Sequence, residues 1–103
     1  MQTLGEVLRY SREKKKMILR KVSAIVDIDQ SLISKFEKNE RKPTKDQLDK
    51  FADFYDLSKK DLMINWYSEK IADELRYSEV SSDILKAAEE KINYYKLQGN
   101  GKQ

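Results

Sequence analysis

Residues 19–43 read LRKVSAIVDIDQSLISKFEKNERKP, and the fold turns on this stretch. Leu19, Val22, Ser23 and Val26 recur at i, i+3, i+4 and i+7, the spacing of one face of an amphipathic helix. Asp27 follows where a tight turn is needed, and Asp tolerates the left-handed conformation better than most residues, although Gly would be cheaper. Asp29 is a good N-cap, so a second helix is expected over Gln30-Ser31-Leu32-Ile33-Ser34-Lys35-Phe36-Glu37. Leu32, Ile33 and Phe36 form its inward face, and Gln30, Ser31, Ser34 and Lys35 take the remaining surface. Asn39 suits a left-handed C-terminal cap, and Glu40-Arg41-Lys42-Pro43 breaks the chain. Two short helices joined by a turn at Asp27 to about Gln30 make a helix-turn-helix.

Helical signals continue on both sides. Upstream, a helix from about Thr3 to Lys15 puts Leu4, Val7, Leu8 and Ser11 on one face. Its end is positive (Arg9, Arg12, Lys14, Lys15, Lys16), which suits the negative end of the helix dipole. Downstream, Thr44-Lys45-Asp46-Gln47 is a capping box opening a helix with the stripe Leu48, Phe51, Ala52 and Tyr55. Ser58-Lys59-Lys60-Asp61 opens a fifth helix that runs through Leu62 and Trp66 to Tyr77. It carries two apolar rows, Leu62 with Trp66 and Ile64, Tyr67, Ile71 with Leu75; a helix apolar on two sides touches two things. After a polar break at Ser78, Ser81 and Ser82, a sixth helix is expected from Asp83 to Leu97, with Ile84, Ala88, Ile92 and Tyr95 as its stripe and Leu85 beside it. The expected organisation is an all-α chain: a domain over residues 1–64, a helical extension over 65–97, and a frayed tail over 98–103.

Composition narrows the chemistry. The 103 residues suffice for one compact domain and a short extension. Charged residues make up 38%, but periodic apolar residues argue against disorder, and 3 Gly with 1 Pro favour helices over a turn-rich β fold. There is no Cys and no His, which removes disulfides, thiolate nucleophiles, the commonest metal ligand and the usual general base near neutral pH. Met1 to Tyr10 is amphipathic and unlike a secretory leader, and no run approaches the ~20 apolar residues of a spanning helix. A soluble cytoplasmic protein, with no membrane partner and no cofactor, is the expectation. Adjacent carboxylates such as Asp73 with Glu74, or Glu89 with Glu90, point apart on a helix and read as a solvated face, so no enzyme is expected. Trp66, Tyr67, Tyr94 and Tyr95 lie at helical spacing in the acidic half, and read as core or dimer contacts before base-stacking platforms.

The net charge of +3 is unevenly spread. Residues 1–50 hold 13 Lys and Arg against 8 Asp and Glu; residues 51–103 hold 8 against 10. A basic first half suggests that this half alone meets a polyanion. The helix-turn-helix says how: its second helix presents a polar ridge to the major groove of duplex DNA, which is wide enough to admit it. Gln30 can pair bidentately with adenine, Lys35 can reach guanine, and Ser31 and Ser34 can meet bases or phosphates. Arg20, Lys38, Arg41 and Lys42 are placed to neutralise phosphates.

These segments together resemble the lambda-repressor-like, Cro-type helix-turn-helix family, often called XRE. The likeness covers about residues 3–64: LGEVLRYSREKK, then residues 19–43, then TKDQLDKFADFYDLSKKDLM. It implies a five-helix DNA-binding domain that docks as a two-fold dimer on a palindromic operator, with Gln30, Ser31 and Lys35 at the base-reading positions. It also implies an ion pair between Arg12 and Glu37 that holds the first helix against the third. The chain departs from the family at Leu19, Asp27 and Ser11, where Gln, Gly and Leu are frequent. Small stand-alone members are phage-type repressors, restriction–modification controllers or antitoxins, and DIDQSLISKFE looks most like the restriction–modification group.

The extension beyond residue 64 needs its own role. Dimerisation is expected, because one helix-turn-helix reads only a half-site and two half-sites about 34 Å apart discriminate far better. Ile64, Ile71, Ile84, Ala88, Ile92 and Tyr95 are the candidate contacts. The competing readings are packing within the chain, or an antitoxin whose last helix covers a partner protein. The extension is too short for a ligand-sensing domain, so no small-molecule ligand is expected.

Overall fold

Local caps set most helix boundaries. The computed structural model describes residues 2–99, which form six helices in chain order: α1 (Leu4–Lys14), α2 (Leu19–Val26), α3 (Gln30–Glu37), α4 (Lys45–Tyr55), α5 (Lys59–Leu75) and α6 (Ser81–Gln98). Among the described residues there is no strand, so the fold is all-α. Thr3 opens α1 with a reciprocal box: its Oγ1 accepts from the Glu6 amide at 3.1 Å, and Glu6 Oε1 accepts from the Thr3 amide at 2.9 Å. Thr44 and Gln47 repeat the device at α4, at 3.1 and 3.0 Å. Ser58 Oγ accepts from the Asp61 amide at 3.1 Å in the first turn of α5.

The ends differ from the sequence expectation by a residue or two. Thr3 and Lys15 cap α1 from outside. α5 stops at Leu75 instead of Tyr77, where the Ser78 amide closes a turn onto the Leu75 carbonyl at 3.0 Å. α6 starts at Ser81, two residues before the expected Asp83, with Val80 as a cap that makes no side-chain bond. Gln98 completes α6 and Gly99 caps it; the rest of the expected frayed tail, residues 100–103, lies outside the described residues.

Four non-glycine residues take left-handed backbone at helix ends: Lys16, Asp27, Asn39 and Asp56, with φ between 57° and 62°. At Asn39 the geometry is a Schellman motif. The Glu40 amide donates to the Lys35 carbonyl at 2.9 Å and the Asn39 amide to the Phe36 carbonyl at 3.1 Å. The Asn39 side chain then reaches α1: its Oδ1 accepts from the Gly5 amide at 3.1 Å and its Nδ2 donates to Thr3 Oγ1 at 3.0 Å. This contact explains Gly5. A Cβ there would meet the Phe36 carbonyl at 2.5 Å and the Glu37 carbonyl at 2.7 Å, so the backbones of α1 and α3 approach as closely as only Gly allows.

The chain divides into two units, Met1–Ile71 and Ala72–Gln103. The first holds the hydrophobic core. Leu8, Val22, Ile33 and Phe51 are fully buried at its centre, ringed by Leu4, Val26, Ile28, Phe36, Leu48, Tyr55, Leu62 and Trp66. Burying each large apolar side chain contributes roughly 1.5–3 kcal/mol. Phe51 packs edge-on to Phe36 and stacks on Tyr55. Ser11, where the family often has Leu, is also buried and donates its hydroxyl to the Val7 carbonyl at 2.8 Å. Trp66 belongs to this core and donates its indole N–H to the Pro43 carbonyl at 2.7 Å. The first unit therefore reaches past Ile64. In the second unit, α6 buries no residue. No helix among the described residues is long and apolar enough to cross a membrane.

Candidate nucleic-acid interface

The turn between α2 and α3 is pinned at each of its three residues. Asp27 is left-handed at φ 58° and its amide bonds the Ser23 carbonyl at 2.9 Å. Ile28 plugs into the core, and its carbonyl accepts the Ser23 hydroxyl at 2.6 Å. Asp29 caps α3, accepting from the Ser31 and Leu32 amides at 3.0 and 3.3 Å. The Ser31 hydroxyl donates to the same carboxylate oxygen. That bond, with the Leu32 amide next, holds the Asp29 carboxyl below its ordinary value.

Packing then decides which side of α3 faces out. Ile33, Phe36 and Glu37 are buried; Gln30, Ser31, Lys35 and Lys38 are exposed, and Ser34 is half-buried. Gln30, Ser31, Ser34, Lys35 and Lys38 line one open groove of about 570 Å³. Leu19, Asp29 and Glu40 complete its lining, none of them singled out as a contact from the sequence. The sequence marks Asp29 only as a cap and Glu40 only as part of a loop. The Schellman motif at the left-handed Asn39 brings Glu40 back towards Lys35.

Of the remaining basic candidates, Arg20 is exposed on the first turn of α2, where the Ile18 cap makes no side-chain bond. Arg41 is exposed after α3. Lys42 is half-buried and engaged within the fold. Its Nζ donates to Glu69 Oε1 at 3.0 Å, while Glu69 Oε2 accepts from the Leu4 amide at 2.6 Å. One carboxylate on α5 thus ties the loop after α3 to the start of α1.

The exposed face of α3 is braced from behind. Arg12 grips Glu37 bidentately, Nε to Oε2 at 2.8 Å and Nη2 to Oε1 at 2.9 Å, and its Nη1 donates to the Met17 carbonyl at 2.9 Å. The Arg12 side chain is 15% exposed and that of Glu37 5%. The bond to Glu37 raises the Arg12 pKa, so the cation is permanent. Beside them Tyr55 is buried and its hydroxyl has no hydrogen-bond partner among the described residues. Burial, with the Glu37 charge second, pushes its pKa to about 12.

The candidate dimer residues are all exposed in the single chain: Ile64, Ile71, Ile84, Ala88, Ile92 and Tyr95. Ile64 is 57% exposed, Ile92 50% and Tyr95 62%. Tyr67 lies at the surface, edge-on to the buried Trp66. Among the described residues, no group of Asp and Glu converges where a metal ion could be held.

A family model described as helix-turn-helix matches residues 8–62, which spans α2, α3 and the groove. No curated protein and no solved structure matches the chain significantly.

Proposed function

The chain belongs to the lambda-repressor-like helix-turn-helix family of DNA-binding domains, and on that premise we propose that it binds a palindromic operator as a homodimer and represses transcription. One observation carries the reading: the polar side of α3 with its C-cap (Gln30, Ser31, Ser34, Lys35, Lys38) lines a single groove inside the matched segment. Gln30 and Lys35 supply bidentate and cationic partners for adenine and guanine edges, and Ser34 a short polar contact. Arg20, Lys38 and Arg41 neutralise phosphates around the groove. Lys42 contributes through the fold, since Glu69 already holds its charge.

The second copy docks on the extension. Ile84, Ile92 and Tyr95 of α6 are 39%, 50% and 62% exposed, a row of apolar side chains that the single chain leaves in water. Pairing two chains joins two half-sites, which multiplies discrimination. Ile64 and Ile71 extend the same role along α5. The protein acts in the cytoplasm, with the DNA. Control of a restriction–modification operon rests on the likeness of DIDQSLISKFE alone, and the genes beside the operator decide it.

The test is fluorescence anisotropy of the full chain on duplex DNA from upstream of its own gene, against a scrambled duplex, at two salt concentrations. Preference of about 10³-fold or more for the upstream duplex supports an autoregulating operator binder. Equal, salt-sensitive binding to both duplexes overturns it. Sedimentation of the free protein separates a homodimer from a chain that waits for another protein on α6.

A further inference from the structure

We propose that Ser31 reads DNA as a hydrogen-bond acceptor and so selects an amino-bearing base, adenine or cytosine, on the strand it faces. The inference rests on the operator-binding reading above and assigns part of its sequence preference. A serine hydroxyl has one hydrogen to donate and two lone pairs to accept with. In this fold the hydrogen is committed: Ser31 Oγ donates to Asp29 Oδ2. Hydrogen bonds to an ionised carboxylate are roughly twice as strong as those between neutral groups. The same Oδ2 takes the Ser31 amide at 3.0 Å and the Leu32 amide at 3.3 Å, so the acceptor is fixed by the backbone of α3. Both Asp29 and Ser31 are exposed and both line the groove. What this corner offers to a ligand is lone pairs and negative charge.

That polarity sorts the possible contacts. Phosphate oxygens, guanine O6 and N7, and thymine O4 are all acceptors and meet this corner unfavourably. Adenine N6 and cytosine N4 carry amino hydrogens in the major groove and meet it well. Every base pair presents one such amino group, on one strand or the other. The corner therefore distinguishes strand orientation: adenine or cytosine is accepted on the facing strand, guanine or thymine rejected. The low carboxyl pKa of Asp29 agrees, since the acceptor stays ionised throughout the neutral range. Gln30 and Lys35 bring donors to neighbouring edges, so Ser31 supplies a preference that they do not duplicate.

The experiment is selection from a randomised duplex library with the full chain, in parallel with Ser31→Ala and Asp29→Gly. Circular dichroism checks that each variant is folded. Gly is a tolerated N-cap and carries no side-chain acceptor, so Asp29→Gly keeps α3 while releasing the Ser31 hydroxyl to donate. The expected motif has one position per half-site where adenine and cytosine outcompete guanine and thymine by about tenfold. Ser31→Ala flattens that position, and Asp29→Gly opens it to guanine and thymine, with other positions unchanged. The inference is overturned if the Ser31-sensitive position favours guanine or thymine, if Asp29→Gly leaves the preference intact, or if no position responds to Ser31→Ala. A library that yields no motif with the unaltered protein instead overturns the operator-binding reading itself.

Discussion

Replacing Arg12 by Met is the sharpest test of what holds α3 in place. The substitution keeps most of the side chain's bulk and removes three hydrogen bonds, two to Glu37 and one to the Met17 carbonyl. It leaves the Glu37 carboxylate, only 5% exposed, without its cation. Stripping one partner from a buried ion pair costs about 3–5 kcal/mol. Arg12 is 15% exposed, so some water reaches the site, and the lower end of about 3 kcal/mol is expected. For a domain of this size that lowers Tm by about 12–24 °C. The asymmetry of exposure makes a second prediction. Glu37→Gln should cost less, about 1–2 kcal/mol, because Arg12 can turn its charge towards solvent while a stranded Glu37 cannot. The double variant Arg12→Met/Glu37→Leu should recover most of the loss, because neither charge then remains buried. Urea unfolding of these proteins together with Glu37→Leu alone, followed by circular dichroism, gives the cycle. A loss below about 1 kcal/mol for Arg12→Met, or a double variant no more stable than the single, would refute a buried pair that couples α1 to α3.

Other substitutions probe other links. Gly5→Ala should destabilise by about 3 kcal/mol in urea unfolding, because its Cβ would fall within 2.7 Å of two α3 carbonyls that cannot retreat. Tyr55→Phe should be neutral or stabilise by up to about 1 kcal/mol, since the buried hydroxyl has no partner to lose. In the unaltered protein the raised Tyr55 pKa favours the neutral phenol in the fold. Its contribution is therefore complete below pH ~10 and is lost as the pH rises towards about 12; ultraviolet titration should show one late tyrosine, absent in Tyr55→Phe. Gln30→Ala should relax base preference at one position per half-site with the melting curve unchanged; an unaltered selected motif removes Gln30 from the readout. Ile92→Asp should shift sedimentation towards monomer and weaken operator binding, and a persistent dimer moves the interface off α6.

The helix-turn-helix was legible in residues 19–43 because its signals are local. A cap acts on amides two or three residues away, and amphipathic spacing needs only the helix's own period. Asp29, Thr44 and the αL positions at Asp27 and Asn39 could therefore be read in place, and so could the buried stripe Leu48, Phe51, Ala52 and Tyr55. The Arg12–Glu37 pair, 25 residues apart, came only from family resemblance, since no local rule joins such positions. What tertiary structure alone decided are contacts between segments far apart in sequence. Asn39 meets Gly5 across 34 residues, and Glu69 reaches Leu4 across 65 and Lys42 across 27. Trp66, on the row expected to be core or interface, is fixed as core by the Pro43 carbonyl. Lys42 and Arg41 look alike as letters in a basic loop, yet one is gripped by α5 and the other is exposed, a distinction set by where the helices pack. The polarity of Ser31 belongs to the same class: its residue type permits donation or acceptance, and the rotamer that bonds Asp29 selects one. Sequence thus determined which segments are helices and which two of them form the helix-turn-helix, because those depend on neighbours along the chain. Structure decided which polar groups remain available at that surface, because that depends on neighbours in space.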